Sequence, residues 1–227
     1  RSPSRGLGDV YKRQVIGYGN VGSIVADWGK KLGCRILVCD PPRKKSGMKD
    51  VDYLNLDQVL HEADAVTLHT PLTTTGEDAT FHMIDAKHLD MLKRGAILIN
   101  AARGGVVDNE AWKNHLKEGR TKAFIDTWEW EPEIDRELLK LATIATPHIA
   151  GYSFEGKQRA TRMALEAVEQ YFGIHTDKSG LEGIYHTPSG IATEIICASY
   201  NPFSDTNALR ANPDRFEQLR GDYNYRN

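Results

Sequence analysis

Short apolar runs and helical periods alternate from Val15 to about Gly173, and that alternation predicts an α/β fold built on a parallel sheet. Val21, Ile24, Val25, Trp28 and Leu32 recur at i, i+3, i+4, i+7 and i+11, which predicts a helix whose apolar face packs on the sheet. Gly33 closes it as a C-terminal cap. Ile36, Leu37, Val38 and Cys39 form an unbroken apolar run, the pattern of a strand covered on both faces, and Asp40 ends it. Asn55 caps a further helix with Leu56, Val59, Leu60 and Ala63 on one side. More strands are expected at residues 65–68, 96–99, 123–125 and 143–145. Between them Asp108 caps a helix carrying Ala111, Trp112, His115 and Leu116, ended by Gly119.

A long helix is expected over residues 153–172, with Ala160, Met163, Ala164, Ala167, Val168 and Tyr171 at helical spacing. Beyond Gly173 the texture changes. Residues 175–227 are rich in Asn, Asp, Ser and Pro, with one apolar run at 191–198 and a charged stretch at 209–226. That shift predicts a boundary and a segment that depends on a partner more than a free-standing domain.

Charge changes the picture by exclusion. With 29 basic and 31 acidic residues the net charge is −2, so no global field recruits nucleic acid or an anionic membrane, and a small-molecule partner is expected. No apolar run approaches the ~20 residues of a membrane helix. Cys34, Cys39 and Cys197 lack metal-type spacing and read as reduced, packed thiols of a cytoplasmic protein with no metal site.

Gly17-Tyr18-Gly19-Asn20-Val21-Gly22 is a GxGxxG turn opening a helix. The first Gly permits the turn, the second lets the backbone approach a pyrophosphate, and the third lets helix and strand pack closely. Exposed N–H groups at the helix start then hold phosphate charge, so Gly17, Gly19, Asn20, Val21 and Gly22 are candidate dinucleotide contacts. Asp40, at the end of the next strand, is placed to bond the ribose hydroxyls of NAD and to repel the 2′-phosphate of NADP. Arg43, Lys44 and Lys45 keep NADP open as an alternative.

Four further stretches fall just past expected strands, at the carboxyl edge where open α/β sheets bind ligands: HTPL at 69–72, NAARGG at 100–105, DTWEWEP at 126–132 and TPHIAGY at 146–152. Together they offer a guanidinium, carboxylates and an imidazole. Oxidising a 2-hydroxy acid needs a base for the hydroxyl proton, and His is the apt residue, with a carboxylate to fix its tautomer. A guanidinium grips the substrate carboxylate with two bonds.

VIGYGNVG, HTPL, INAARGGVVD, DTWEWEPE and TPHIAGYS, in this order over residues 15–173, resemble the D-isomer-specific 2-hydroxyacid dehydrogenases. The resemblance implies a doubly wound, parallel-sheet NAD(P)-binding Rossmann domain over residues 15–152. It further implies a return helix of the substrate domain over 153–174 and a partial dimerisation domain over 175–227. It implies catalytic roles for Arg103 (carboxylate anchor), Glu131 (partner of the histidine) and His148 (proton donor and acceptor). Thr70 would line the NAD site, Asp126 and Gly151 would contact its nicotinamide end, and Tyr152 would reach the substrate. The DPPR run, PHIAGYS and the tail NALRANPDRFEQLRGDYNYR resemble members that act as homodimers on a small phosphorylated 2-hydroxy acid. Alternatives are another substrate within the class, of the phosphoglycerate or hydroxypyruvate type, or an NAD-sensing corepressor on the same fold. The family's usual segment before the glycine turn is expected to lie outside this chain, which leaves the chain itself inactive. Residues 1–14 are expected to be a non-native leader, with a basic arm at 6–14 as the alternative.

Overall fold

The computed structural model describes residues 12–179 and 200–223. Among these, six strands form one parallel sheet: β1 (Lys12–Ile16), β2 (Arg35–Cys39), β3 (Ala65–Leu68), β4 (Ile97–Asn100), β5 (Lys122–Ile125) and β6 (Ile144–Ala145). Their order is β2-β1-β3-β4-β5-β6, every neighbouring pair parallel. The chain crosses from one side of β1 to the other between β2 and β3, and this reversal is the switch point at which such sheets open a ligand crevice. An isolated parallel bridge joins Val38 of β2 to Tyr53 at this edge of the sheet.

Lys12, Arg13 and Gln14 form the first three residues of β1, ahead of the expected boundary at Val15. Gln14 is fully buried between β2 and β3, where its amide donates to Ala65 O and accepts from Ala63 N. Lys12 N–H donates to Asp64 at 2.8 Å and its ammonium pairs with Glu62 at 3.0 Å. A polar stretch thus serves as a central strand because the sheet supplies its hydrogen bonds and the amide finds backbone partners.

Helix α1 (Asn20–Lys31) forms where expected, but its burial corrects the expected packing. Gly22, Ala26 and Gly29 face the sheet, whereas Val21 is 61% and Trp28 46% exposed, with Ile24 and Leu32 also on the outside. The small residues decide this. A Cβ on Gly22 would stand 1.9 Å from Gly17 O, and one on Gly29 would stand 2.6 Å from the Ile36 side chain. The helix rides so close to β1 and β2 that only a stripe of small residues fits beneath it.

Short helices not foreseen in the sequence are α2 (Pro41–Lys45), α4 (Ala86–Asp90) and α6 (Arg136–Leu141). Each begins on an aspartate that accepts from backbone N–H groups of its first turn: Asp40, Asp85 and Asp135. Helix α3 (Leu56–Glu62) opens on the Asn55 cap with Gln58 bonding back, and α5 (Asn109–Lys117) opens on Asp108. Val59, Leu60, Trp112 and Leu116 from these helices join the main core with Leu68, Leu98 and Ile125 from the strands.

Helix α7 (Phe154–Phe172) runs between a Ser153 cap and Gly173 in the left-handed conformation at φ 64°. None of its described side chains is buried, and Met163, Val168 and Tyr171 are exposed. Past the undescribed residues, which include the apolar run at 191–198 and Cys197, come α8 (Pro202–Ala211) and α9 (Phe216–Gly221). They dock on the sheet edge of their own chain. Leu209 and Phe216 enter the main core, Thr206 Oγ1 accepts from Ala145 N–H at 3.0 Å, and Arg210 donates to the carbonyls of Leu139 and Ala142.

Candidate active site

The glycine turn lies between the carboxyl ends of β1 and β3. Gly17 takes φ 86°, and a Cβ there would stand 2.7 Å from the His69 backbone, so no other residue fits the turn. Gly19, by contrast, has open space where a Cβ would be, at the start of α1 with no side-chain cap, beside the exposed Asn20 and Val21. The first N–H groups of that helix are left for an anion.

Asp40 ends β2 and accepts from Tyr18 N–H at 2.7 Å and from Arg43 N–H at 3.0 Å. Its carboxylate therefore shapes the turn as well as standing at the mouth of the cleft. Two of the three neighbouring cations are committed elsewhere, Arg43 to Asp50 and Tyr53 and Lys45 to Glu77 and Asp78, while Lys44 is exposed. A cleft of about 490 Å³ opens here, bordered by Gly17, Gly19, Asp40, Thr70 and Thr80. Thr70 borders this cleft, and its Oγ1 is buried with no protein hydrogen-bond partner. The bare Gly19, the carboxylate and the orphan hydroxyl fit an adenine dinucleotide.

Across the switch point, the loops after β4, β5 and β6 assemble the acid–base group. His148 Nδ1 lies 2.8 Å from Glu131 Oε2, and Glu131 Oε1 accepts from Trp128 N–H at 2.7 Å. A carboxylate on Nδ1 selects the tautomer with its proton there, which leaves Nε2 as the acceptor. Asp126 is buried, and it holds the His148 loop: it accepts from Thr146 Oγ1 at 2.7 Å, Ile149 N–H at 2.8 Å and Ala150 N–H at 3.1 Å. Burial raises its pKa, opposed by those three donors. Trp128 is buried and donates its indole N–H to Thr146 O at 3.0 Å, a second tie between the Glu131 and His148 loops.

Arg103 is exposed on the loop after β4, with Nη1 donating to Ala102 O at 2.6 Å, and Asn100 Nδ2 donates to Arg103 O at 2.9 Å. Gly104 follows because the backbone of Trp128 lies where its Cβ would be, at 1.9 Å. The Arg103 and Glu131 loops thus touch backbone to backbone. Gly151 is exposed, and Tyr152 is half-buried beyond it.

Two features were absent from the sequence reading. His82 Nε2 meets Glu129 Oε1 at 2.6 Å, Asn109 N–H donates to Glu129 Oε2 at 3.1 Å, and Asp108 lies 3.7 Å from His82 Nδ1. Glu129, only 10% exposed, clamps the loop that carries Glu131 to the start of α5. Among the described residues, the non-glycine residues at positive φ are His82, Trp130 and His148, which respectively bond Glu129, follow it in the chain and bond Glu131. Such backbone costs of order 1–3 kcal/mol each and persists where the surroundings impose it. The second feature is Arg220 of α9, whose Nε donates to Tyr152 Oη at 3.0 Å. His82 stands in no motif, whereas Glu129 lies in DTWEWEPE and Arg220 in the tail stretch NALRANPDRFEQLRGDYNYR, neither with a pattern that names its partner.

Residues 10–150 match the family model described as the D-isomer specific 2-hydroxyacid dehydrogenase NAD binding domain. The chain belongs to the D-isomer specific 2-hydroxyacid dehydrogenases. An erythronate-4-phosphate dehydrogenase of Bacteroides fragilis is 40% identical over 220 residues, covering 92% of this chain and 61% of the relative. That span is long enough to reach well past Gly173. One from Pseudomonas fluorescens is 47% identical over 160 residues, 70% of this chain and 42% of the relative. The crystal structure of Aquifex aeolicus D-lactate dehydrogenase complexed with NAD and lactic acid superposes with a TM-score of 0.61 at 32% identity, covering 72% of this chain and 54% of that one. The chain therefore spans about three-fifths or less of these dehydrogenases and holds their NAD-binding domain. Among the described residues, no helix is long and apolar enough to cross a membrane.

Proposed function

We propose that this chain is the NAD-binding and proton-transferring part of a dehydrogenase that oxidises 4-phospho-D-erythronate at C2 to 2-oxo-3-hydroxy-4-phosphobutanoate. In this reading it acts as a cytoplasmic homodimer on the route to pyridoxal 5′-phosphate. One observation carries the chemistry: the 2.8 Å bond between His148 Nδ1 and Glu131 at the carboxyl edge of the sheet. The substrate assignment is supported by the names of the relatives, of which the Bacteroides fragilis one covers 92% of this chain.

Gly17, Gly19, Asn20, Val21 and Gly22 would hold the pyrophosphate, Asp40 the ribose, Thr70 the cleft wall, and Asp126 and Gly151 the nicotinamide end. When bound, NAD supplies the hydride acceptor. His148 Nε2 takes the hydroxyl proton from the substrate, and Glu131 balances the charge that the ring gains. Arg103 anchors the carboxylate through two parallel bonds, so the reacting carbon is held in one orientation. Tyr152 lines the substrate.

Replacing His148 by Asn in the full-length protein is expected to lower turnover by about 10²–10⁴, while NAD affinity stays within about twofold. Turnover is followed by NADH absorbance and affinity by calorimetry. Undiminished turnover would overturn the assignment of the base, and turnover confined to unphosphorylated acids would overturn the substrate.

A further inference from the structure

Tyr152 stands four residues beyond His148, and the fold sets beside it one cation from the next helix and one from 68 residues on. Lys157, on the first turn of α7, places its ammonium 4.7 Å from the ring centroid. Arg220 bonds the phenol oxygen through Nε at 3.0 Å and sets its guanidinium carbon 5.8 Å from the ring centroid. Glu131, the carboxylate on His148, is among the charges that favour the Arg220 guanidinium. Its carboxylate neighbour on α9 is Glu217, 3.6 Å from Nη1 and 61% exposed, too solvated to neutralise a guanidinium.

This placement is built into the fold. Phe216, at the start of α9, is 1% exposed in the main core, and α8 ahead of it is tied to β6 through Thr206 and to the end of α6 through Arg210. The helix that carries Arg220 is therefore anchored on both the core and the sheet edge.

Resting on the proposed function, we propose that Arg220, with Tyr152 and Lys157, forms a subsite for a second anionic group on the substrate, a phosphomonoester at the end away from the carboxylate. Arg103 already answers the carboxylate. A monocarboxylate such as lactate carries no second anion for an arginine in this position. A phosphomonoester carries a charge of about −1.5 to −2 and three acceptor oxygens. A planar guanidinium edge, a phenol and an ammonium match that group in both charge and donor number. The C-terminal segment would then select the substrate, not merely cover the sheet edge.

The test is ligand discrimination by the NAD-loaded full-length protein, measured by calorimetric titration with 4-phospho-D-erythronate and with D-erythronate. The wild-type protein is expected to prefer the phosphorylated acid by at least about tenfold, and Arg220→Gln to cut that preference to below about threefold. Arg220→Lys should fall between them, and NAD affinity should stay within about twofold throughout. An Arg220→Gln protein that keeps the tenfold preference overturns the subsite while the proposed substrate stands. A wild-type full-length protein with no preference, or with no binding of either acid, overturns the substrate assignment and the subsite together. If Arg220→Gln also loses NAD affinity, Arg220→Lys decides: an unchanged preference overturns the subsite, and a threefold or greater loss supports it.

Discussion

The two sides of the switch point are built by different means. On the β1–β2 side the cofactor cleft is made of backbone: glycines that let chain segments approach, N–H groups at a helix start, and one carboxylate that caps a turn. On the β4–β6 side the acid–base group is made of loop side chains held by distant partners, Glu131 by His148 17 residues on and Glu129 by His82 47 residues back. Cofactor binding should therefore respond most to changes in backbone room, and turnover most to loss of single long-range contacts.

The sharpest way to break this contrast is at Gly22. Gly22→Val would drive a side chain into the Gly17 carbonyl, which is backbone and cannot swing away. NAD binding is expected to be lost and the melting temperature to fall, with a cost of about 1–3 kcal/mol or more. A variant that binds NAD normally in calorimetry would show that the turn has slack the structure denies.

A change on the catalytic side should leave the cofactor alone. Glu129→Gln removes the charge facing His82 and leaves one of its two bonds, to His82 or to Asn109 N–H, unmatched. Breaking charge-assisted bonds of this kind costs about 1–3 kcal/mol. Denaturant unfolding should register that loss, and the full-length protein should show a lower kcat with NAD affinity unchanged. A fall in NAD affinity instead would mean that the two sides are mechanically joined.

Asp40 tests the same division from the cofactor side. Asp40→Asn removes the like charge that opposes a 2′-phosphate, and like-charge juxtaposition costs several kcal/mol. The NADP-to-NAD affinity ratio should rise by about tenfold or more, with some loss of NAD affinity because Tyr18 or Arg43 N–H loses its carboxylate. An unchanged ratio would transfer specificity to Arg43 and Lys45.

The smallest expected effect concerns Cys39, one residue before Asp40. Burial, helped by the Asp40 charge, pushes its thiol up to about 11, so at pH 8 it is almost wholly protonated and shielded. Iodoacetamide should label Cys34 well before Cys39 in peptide mass spectra. Its labelling should accelerate only as the pH rises toward 11.

Local pattern made much of this legible. The glycine turn, the capped helices at Asn55 and Asp108, the strand at 65–68 and the four carboxyl-edge loops all follow from residues near one another in the chain. Arg103, Glu131 and His148 were singled out by motif, and the structure joins Glu131 to His148 by a direct bond. Periodicity failed where it was asked about burial. Helix α5 buries Trp112 completely, whereas α1 and α7, with apolar spacing just as regular, leave Trp28 and Met163 in the open. An apolar stripe says that a helix will form and have two faces. It does not say which face meets a neighbour.

The sequence by itself determined the α/β class, the dinucleotide turn and the residue types at the sheet's carboxyl edge, because caps, glycine turns and apolar runs act over a few residues. Only the tertiary structure decided that α1 lies on its glycines, that Gln14 is a core residue, that Glu129 clamps to His82 and that Arg220 reaches Tyr152. The physical reason is that close packing and buried hydrogen bonds are settled between chain segments brought together by the fold. No window along the chain contains both partners.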